Sequence, residues 1–134
     1  MPKARLKTEF LIWSTDQGIE MRILIGALAV AVLAGCVSPS DLEKNDPSIK
    51  TTTTKDPKRY ALCVFPKWQS ERTDSSMVET ETGYRLWVAS NNMADELLEI
   101  KKTSGGSSVT LHQRMAWSAM PGRSGIESAV KSCL

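Results

Sequence analysis

The sequence predicts a small α+β domain in which a helix, an antiparallel meander of three or four strands and a second helix follow one another. Apolar residues recur at helical spacing after residue 56 and again near the C terminus, and they alternate with polar residues between these segments. Cys63 and Cys133 fall one in each predicted helix, and a helix-to-helix disulfide is expected because they remain as an even pair once Cys36 is assigned to the targeting segment. We expect both helices to lie on one side of the sheet.

The first helix is expected to begin after Asp56. Asp56 is a good N-cap residue, and Pro57 suits the first helical position because its missing N–H is not needed there. Pro66 should kink the helix or tighten its last turn. The apolar face consists of Ala61, Val64, Phe65 and Trp68.

The strands follow from alternation of apolar and polar residues. Residues 84–89, 98–101 and 109–112 each alternate in this way, and a short strand at 77–80 is expected before them. Between the last two runs, Ser104-Gly105-Gly106-Ser107 supplies residues that tolerate a positive φ, which predicts a hairpin turn.

The closing helix is predicted from a capping box and an apolar face. Ser124 and Glu127 have the S-x-x-E spacing, and they follow Pro121-Gly122. The apolar face consists of Ile126, Ala129, Val130 and Cys133. A domain of residues 56–134 is small enough for its core to be marginal, so a bond between Cys63 and Cys133 should matter to folding. Two buried free thiols are the alternative.

A targeting segment precedes the domain. Met21–Cys36 contains one positive charge, an apolar run and small residues before a cysteine, which is the pattern of a secretory signal. Its end, Leu33-Ala34-Gly35-Cys36, resembles the lipobox of bacterial lipoproteins. The resemblance implies cleavage after Gly35 and lipidation of Cys36 by a diacylglyceryl group and an N-acyl chain. A transmembrane helix is the alternative, but the apolar run is shorter than the about 20 residues a span needs.

Four segments are therefore expected. Residues 1–20 are an extension upstream of a translation start at Met21, with a cytoplasmic leader as the alternative, and residues 21–35 are the signal peptide. Residues 36–55 are rich in Ser, Thr, Pro, Asp and Lys, so we expect a flexible tether of roughly 25 Å. Residues 56–134 form the periplasmic domain.

The location follows from the same resemblance. Val37, rather than Asp, follows the lipidated cysteine, which implies anchoring in the outer membrane on its periplasmic face. The whole chain has a net charge of +2, and removing residues 1–35 takes away four basic and three acidic residues, leaving about +1. This balance gives no reason to expect a nucleic-acid partner.

No motif predicts catalysis, a cofactor or a metal. The sequence lacks the spacings of a zinc site, a P-loop and a nucleophile elbow, and His112 is expected on a solvated strand face. The residues that stand out instead are large apolar ones on the predicted polar side: Trp87, Met115, Trp117 and Met120. Such residues are enriched at binding surfaces, although they also fill domain edges.

The sequence thus favours a non-enzymatic lipoprotein that binds an unknown envelope protein or ligand, or that has a structural role. The domain is similar in pattern to small cell-envelope lipoproteins of proteobacteria with one helix-to-helix disulfide, a resemblance that transfers no activity. The alternative is a periplasmic inhibitor of the lysozyme-inhibitor type. The membrane-bound lysozyme-inhibitor family has a Ser-Ala-Ser-Gly-type loop near a Tyr, and Ser104-Gly105-Gly106-Ser107 matches it poorly.

Overall fold

Eight elements follow one another in residues 37–134, the part of the chain that the computed structural model describes. They are α1 (Pro39–Leu42), β1 (Ile49–Thr53), α2 (Pro57–Glu71), β2 (Ser75–Thr80), β3 (Gly83–Ser90), β4 (Met93–Thr103), β5 (Gly106–Gln113) and α3 (Arg123–Ser132). The predicted extension, signal peptide and lipidated Cys36 lie outside the described residues. None of the helices within 37–134 is long and apolar enough to cross a membrane.

The strands form one antiparallel sheet with the order β1-β5-β4-β3-β2. Strands β2 to β5 are neighbours in sequence and in space, so the predicted meander is confirmed with four strands. A fifth strand, β1, adds to the free edge of β5. The α+β class is confirmed, with α2 before the meander and α3 after it.

The main core lies between the sheet and the two longer helices. Residues of α2 and α3 pack on the face of the sheet that carries alternate residues of β3, β4 and β5, as predicted. The fully buried members from the sheet are Leu86, Val88, Leu98, Ile100, Val109 and Leu111. The helices contribute Tyr60, Ala61, Val64, Trp68, Ile126, Val130 and Cys133.

Helix α2 begins as predicted. The Asp56 side chain accepts a hydrogen bond from the backbone N–H of Arg59 at 3.1 Å, which caps the helix. Pro66 lies inside the helix, which nevertheless continues to Glu71. Trp68 stays on the buried face, where its Nε1 donates to the carbonyl oxygen of Ile126 in α3 at 3.2 Å. This bond and the apolar contacts hold the two helices together beyond the proline.

The disulfide between Cys63 and Cys133 is confirmed. Their Cα atoms are 5.9 Å apart, inside the range that an unstrained bridge requires. The bond closes an interval of 70 residues, for which the loop-entropy model gives a stabilisation of roughly 4 kcal/mol. A domain of this size has a total stability on the order of 5–15 kcal/mol, so the bond is a large share of it.

The prediction of a flexible tether over residues 36–55 is wrong for the described part of that segment. Strand β1 pairs with β5 from Ile49 opposite Leu111 to Thr53 opposite Ser107. Leu42 of α1 is fully buried. The segment lacks a hydrophobic period because the partner strand, rather than its own side chains, supplies the interactions that order it.

Residues 37–48 cover the second face of the sheet. Val37 and Leu42 pack against Trp87, Ala94 and Leu97 in a small second apolar cluster, called here the outer cluster. Near it, the imidazole Nδ1 of His112 lies 2.9 Å from the carbonyl oxygen of Asn45, and the side chain is buried. The expectation of a solvated His112 is therefore wrong, because the face that it occupies is covered by the N-terminal segment.

The capping box predicted for the last helix is also wrong. Helix α3 begins at Arg123, and its N-cap is Gly122 with a φ of 76°, in the left-handed region that favours glycine. The Glu127 carboxylate accepts instead from Nε2 of Gln113 at 3.1 Å. Ser124 lies two residues after the N-cap position, inside the helix, so it does not cap it.

Packing of the N-terminal segment can be tested with Leu42→Ala. Leu42 is fully buried, so its truncation should lower the free energy of unfolding by about 2–5 kcal/mol. Leu62→Ala is the matched control, because Leu62 is 53% exposed on α2 and should change stability little. Urea unfolding followed by fluorescence measures both. Equal stabilities of the two variants would mean that residues 37–48 do not belong to the fold.

Candidate binding loop

The segment of residues 114–122, called here the 114–122 loop, joins β5 to α3 and presents large apolar side chains to solvent. Trp117 is 83% exposed and Met115 is 43% exposed. Residues 115–122 contain no charged side chain, although Arg114 and Arg123 flank them. Exposed tryptophan side chains of this kind are enriched at contact surfaces.

The backbone of the loop is folded back on itself. The N–H of Ser118 donates to the carbonyl oxygen of Met115 at 2.8 Å, which makes a turn around Trp117. Met115 has a φ of 50°, in the left-handed region that non-glycine residues rarely adopt. Such a conformation persists only where the surroundings fix it.

Arg123 fixes it from inside the domain. Its guanidinium is buried and donates to three loop carbonyl groups, those of Arg114 (2.7 Å), Met115 (2.9 Å) and Ser118 (2.7 Å). Its Nε donates to the carboxylate of Glu96 in β4 at 2.7 Å. The planar fork of arginine allows one side chain to meet all these acceptors, which lysine cannot do.

Glu96 is the buried partner of this arginine. Its second carboxylate oxygen accepts from Nε2 of Gln113 at 2.8 Å. Burial raises the pKa of Glu96, although the hydrogen bonds from Arg123 and Gln113 act in the opposite direction. The ion pair thus joins β4, β5 and α3 at the point where the loop begins and ends.

Asp95 makes a second buried junction beside it. Its carboxylate accepts from Arg114 Nε at 3.0 Å, from Arg72 Nη2 at 3.3 Å and from the Ser90 hydroxyl. Burial alone would raise the pKa of Asp95, but these donors outweigh it and the pKa is lowered. Asp95 therefore ties the first residue of the loop to the ends of α2 and β3.

The structure divides the residues predicted to form a partner surface. Met115 and Trp117 lie exposed on the 114–122 loop, and Met120 is half-buried there, with its sulfur 3.2 Å from Nη2 of Arg123. Trp87 belongs to the outer cluster and is half-buried under residues 37–42. The four residues therefore do not make one surface, and the 114–122 loop is the part that remains available.

The charged residues that position the loop were missed in the sequence. They are Arg72, Asp95, Glu96, Arg114 and Arg123. One signal was present, since Asp95-Glu96 directly precedes Leu97-Leu98 in a strand, and charged groups beside buried positions need partners. The partners come from other elements, so spacing along the chain does not identify them.

No group of three His, Cys, Asp or Glu side chains within residues 37–134 is placed to hold a metal ion. A shallow hollow at the opposite end of the sheet is lined by solvent-facing charged groups, among them Lys58, Glu79, Glu81 and Lys102.

No family model, curated protein or solved structure matches this chain. Among the residues that the structure describes, those of the 114–122 loop combine large exposed apolar groups with a hydrogen-bonded backbone.

The role of Arg123 predicts a pH-dependent effect of Arg123→Met. At pH 7 the variant leaves the Glu96 carboxylate buried without its cation, which should cost about 3–5 kcal/mol of unfolding free energy. Because burial already raises the pKa of Glu96, a proton can replace the cation as the pH falls through that value, so the cost should shrink in acid.

Urea unfolding at neutral and at acid pH measures this effect, with Arg59→Met on the exposed face of α2 as the control. Amide exchange of residues 114–122 should also become faster in Arg123→Met but not in the control, because the loop carbonyl groups lose their donors. A cost that grows as the pH falls would contradict the assigned pair.

Proposed function

We propose that this protein is a non-enzymatic, lipid-anchored module of the bacterial cell envelope. Cys36 carries the lipid and holds the protein at the periplasmic face of the outer membrane. The folded domain contacts another envelope component through the 114–122 loop. The observation that carries the proposal is the exposed Trp117 on a loop whose carbonyl groups accept hydrogen bonds from the buried Arg123.

A fixed loop favours a binding role for energetic reasons. A loop that is ordered only upon binding loses conformational entropy at that moment, which weakens the complex. Here the buried bonds of Arg123 order the backbone beforehand, and Trp117 remains free to bury its ring against a partner. Tryptophan is among the residues that contribute most to binding when they are buried at an interface.

The anchor is supported by the sequence around Cys36. The four residues Leu33 to Cys36 fit a lipobox, and the apolar run before them has the length of a signal peptide rather than of a membrane span. Val37 in the following position supports the outer membrane. The oxidised pair Cys63–Cys133 agrees with an exported protein, because disulfides persist outside the cytoplasm.

A non-enzymatic role is supported by how the clustered ionisable groups are used. Asp95 is paired with Arg72 and Arg114, and Glu96 is paired with Arg123. In each pair the carboxylate is buried, and the pair connects parts of the fold that are distant in sequence. A general acid or base would instead need reach to a substrate.

A periplasmic inhibitor is the second candidate, because an exposed aromatic residue on a fixed loop also suits insertion into an enzyme cleft. The segment that would have linked this chain to lysozyme inhibitors is used differently, however. Ser104 and Gly105 form the turn between β4 and β5, and the Ser107 hydroxyl donates to the carbonyl oxygen of Lys55 at 2.8 Å. We therefore rank it second.

Lipid anchoring predicts the behaviour of Cys36→Ala. The wild-type protein should incorporate labelled fatty acid and stay with membranes through a high-salt wash, because more than one acyl chain gives stable anchoring. Cys36→Ala should incorporate none and accumulate as the unprocessed precursor. Ser40→Ala, which changes an exposed residue close by, should behave like the wild type. Mature wild-type protein in the soluble periplasmic fraction would rule out the anchor.

Contact through the loop predicts site-specific cross-linking. A photoreactive amino acid at position 117 should form an adduct with lipid or protein in intact cells, because Trp117 faces outward. The same group at position 62 is the control, since Leu62 is also an exposed apolar residue but lies on α2. Equal labelling at the two positions would show that the loop has no particular partner.

A further inference from the structure

Val37, the first residue that the structure describes, is packed in the domain and directly follows the proposed lipidation site, Cys36. The carbonyl oxygen of Val37 accepts a hydrogen bond from the N–H of Ala94 at 2.8 Å, and the Val37 side chain packs in the outer cluster. Val37, which directly follows Cys36 in the sequence, is therefore bonded to the start of β4. An anchor at Cys36 therefore leaves no spacer between the membrane and this end of the domain.

The 114–122 loop lies at that same end of the sheet. The residue after Ala94 is Asp95, whose carbonyl oxygen accepts from the N–H of Arg114 at 2.8 Å. Arg114 is the first residue of the loop. The turn at Asn91 and Asn92 belongs to this end too, because it connects β3 to β4 just before Met93. We call this the anchor end of the domain.

The turns at the two ends of the domain differ in charge. At the anchor end, residues 91–93 and 115–122 contain no charged side chain. Their exposed residues are Asn91, Asn92, Met115, Ala116, Trp117, Ala119 and Pro121. The exposed carboxylates of Glu71 and Asp74 lie at this end too, close to the end of α2. At the opposite end, the β2–β3 and β4–β5 turns are surrounded by exposed charged residues: Lys58, Glu79, Glu81, Lys101 and Lys102. An uncharged surface loses less hydration energy than a charged one when it meets lipid.

We propose that the 114–122 loop docks on the membrane that holds the lipid anchor, with Trp117 and Met115 in the interfacial layer of lipid headgroups. This inference rests on the proposed anchoring of Cys36. Tryptophan favours the membrane interface because its ring is apolar while its indole N–H can still bond to water or headgroups. Since the anchor keeps the loop next to the bilayer, even a weak preference of this kind is effective.

Docking at two points sets the orientation of the domain. With a lipid at Cys36 as its only attachment, the domain would be free to rotate relative to the membrane. A second contact at Trp117 holds the anchor end against the bilayer. The charged turns at the opposite end then face the periplasm.

The test uses the mature lipoprotein, purified with its acyl chains and reconstituted into vesicles of phosphatidylethanolamine and phosphatidylglycerol. Half of the preparations contain lipids brominated on the acyl chains near the headgroup, which quench nearby indole rings. The emission of Trp117 is the difference between the wild type and Trp117→Phe. Most of this emission should be lost in brominated vesicles, while Trp117→Phe, which keeps the buried Trp68 and the half-buried Trp87, should change little.

Trp87→Phe is the control variant and should be quenched as strongly as the wild type, because Trp117 remains. Vesicle flotation separates the two proposals. Protein that carries no acyl group and does not float overturns both the anchor and the docking. Protein that floats while Trp117 keeps its emission in brominated vesicles, or gives only protein adducts when cross-linked from position 117, overturns membrane docking alone.

Discussion

The buried ion pair between Glu96 and Arg123 is the interaction on which the anchor end of the domain depends. Removing two charges from water is costly, and the attraction between them offsets that cost only when the remaining donors and acceptors are also bonded. Here they are, since Gln113 donates to Glu96 and three loop carbonyl groups accept from Arg123. An apolar pair of the same volume would pack, but it could not hold the polar backbone of a loop. The ion pair therefore costs more free energy to bury than an apolar pair would, but it gives the loop a defined conformation.

The same end shows why strand β4 is buried over most of its length. Antiparallel sheets often leave one face in water, and the sequence between Leu98 and Lys101 alternates as such a strand would. In the structure, residues 94–100 are all buried, because α2 and α3 cover one face and residues 37–48 cover the other. The sheet is therefore enclosed on both sides at its centre, although its N-terminal cover consists mostly of polar residues.

Periodicity identified those elements whose stability comes from their own apolar faces. Helix α2, the β2–β5 meander and the disulfide were predictable because the core residues recur at fixed spacing and each cysteine lies next to a buried position. Strand β1 was not, since Ile49 is its only apolar residue and its order comes from pairing with β5. The run of threonines from Thr51 favours a strand, because β-branched residues are enriched in strands. The polar composition of the whole segment pointed instead to a flexible tether. The contacts of Arg123 join residues distant in sequence, so no local pattern could have revealed them.

The position of the disulfide has a mechanical consequence. Suppose that tension acts between Val37 and Leu134, the two ends of the described chain. The covalent path then runs from Val37 to Cys63, crosses to Cys133 and reaches Leu134, so it bypasses the residues between the two cysteines. Only α1, β1 and the first part of α2 can be drawn out, to roughly 90 Å at full extension. The meander and α3 stay outside the loaded path, so the domain can lose its N-terminal cover under load while its central sheet bears no tension.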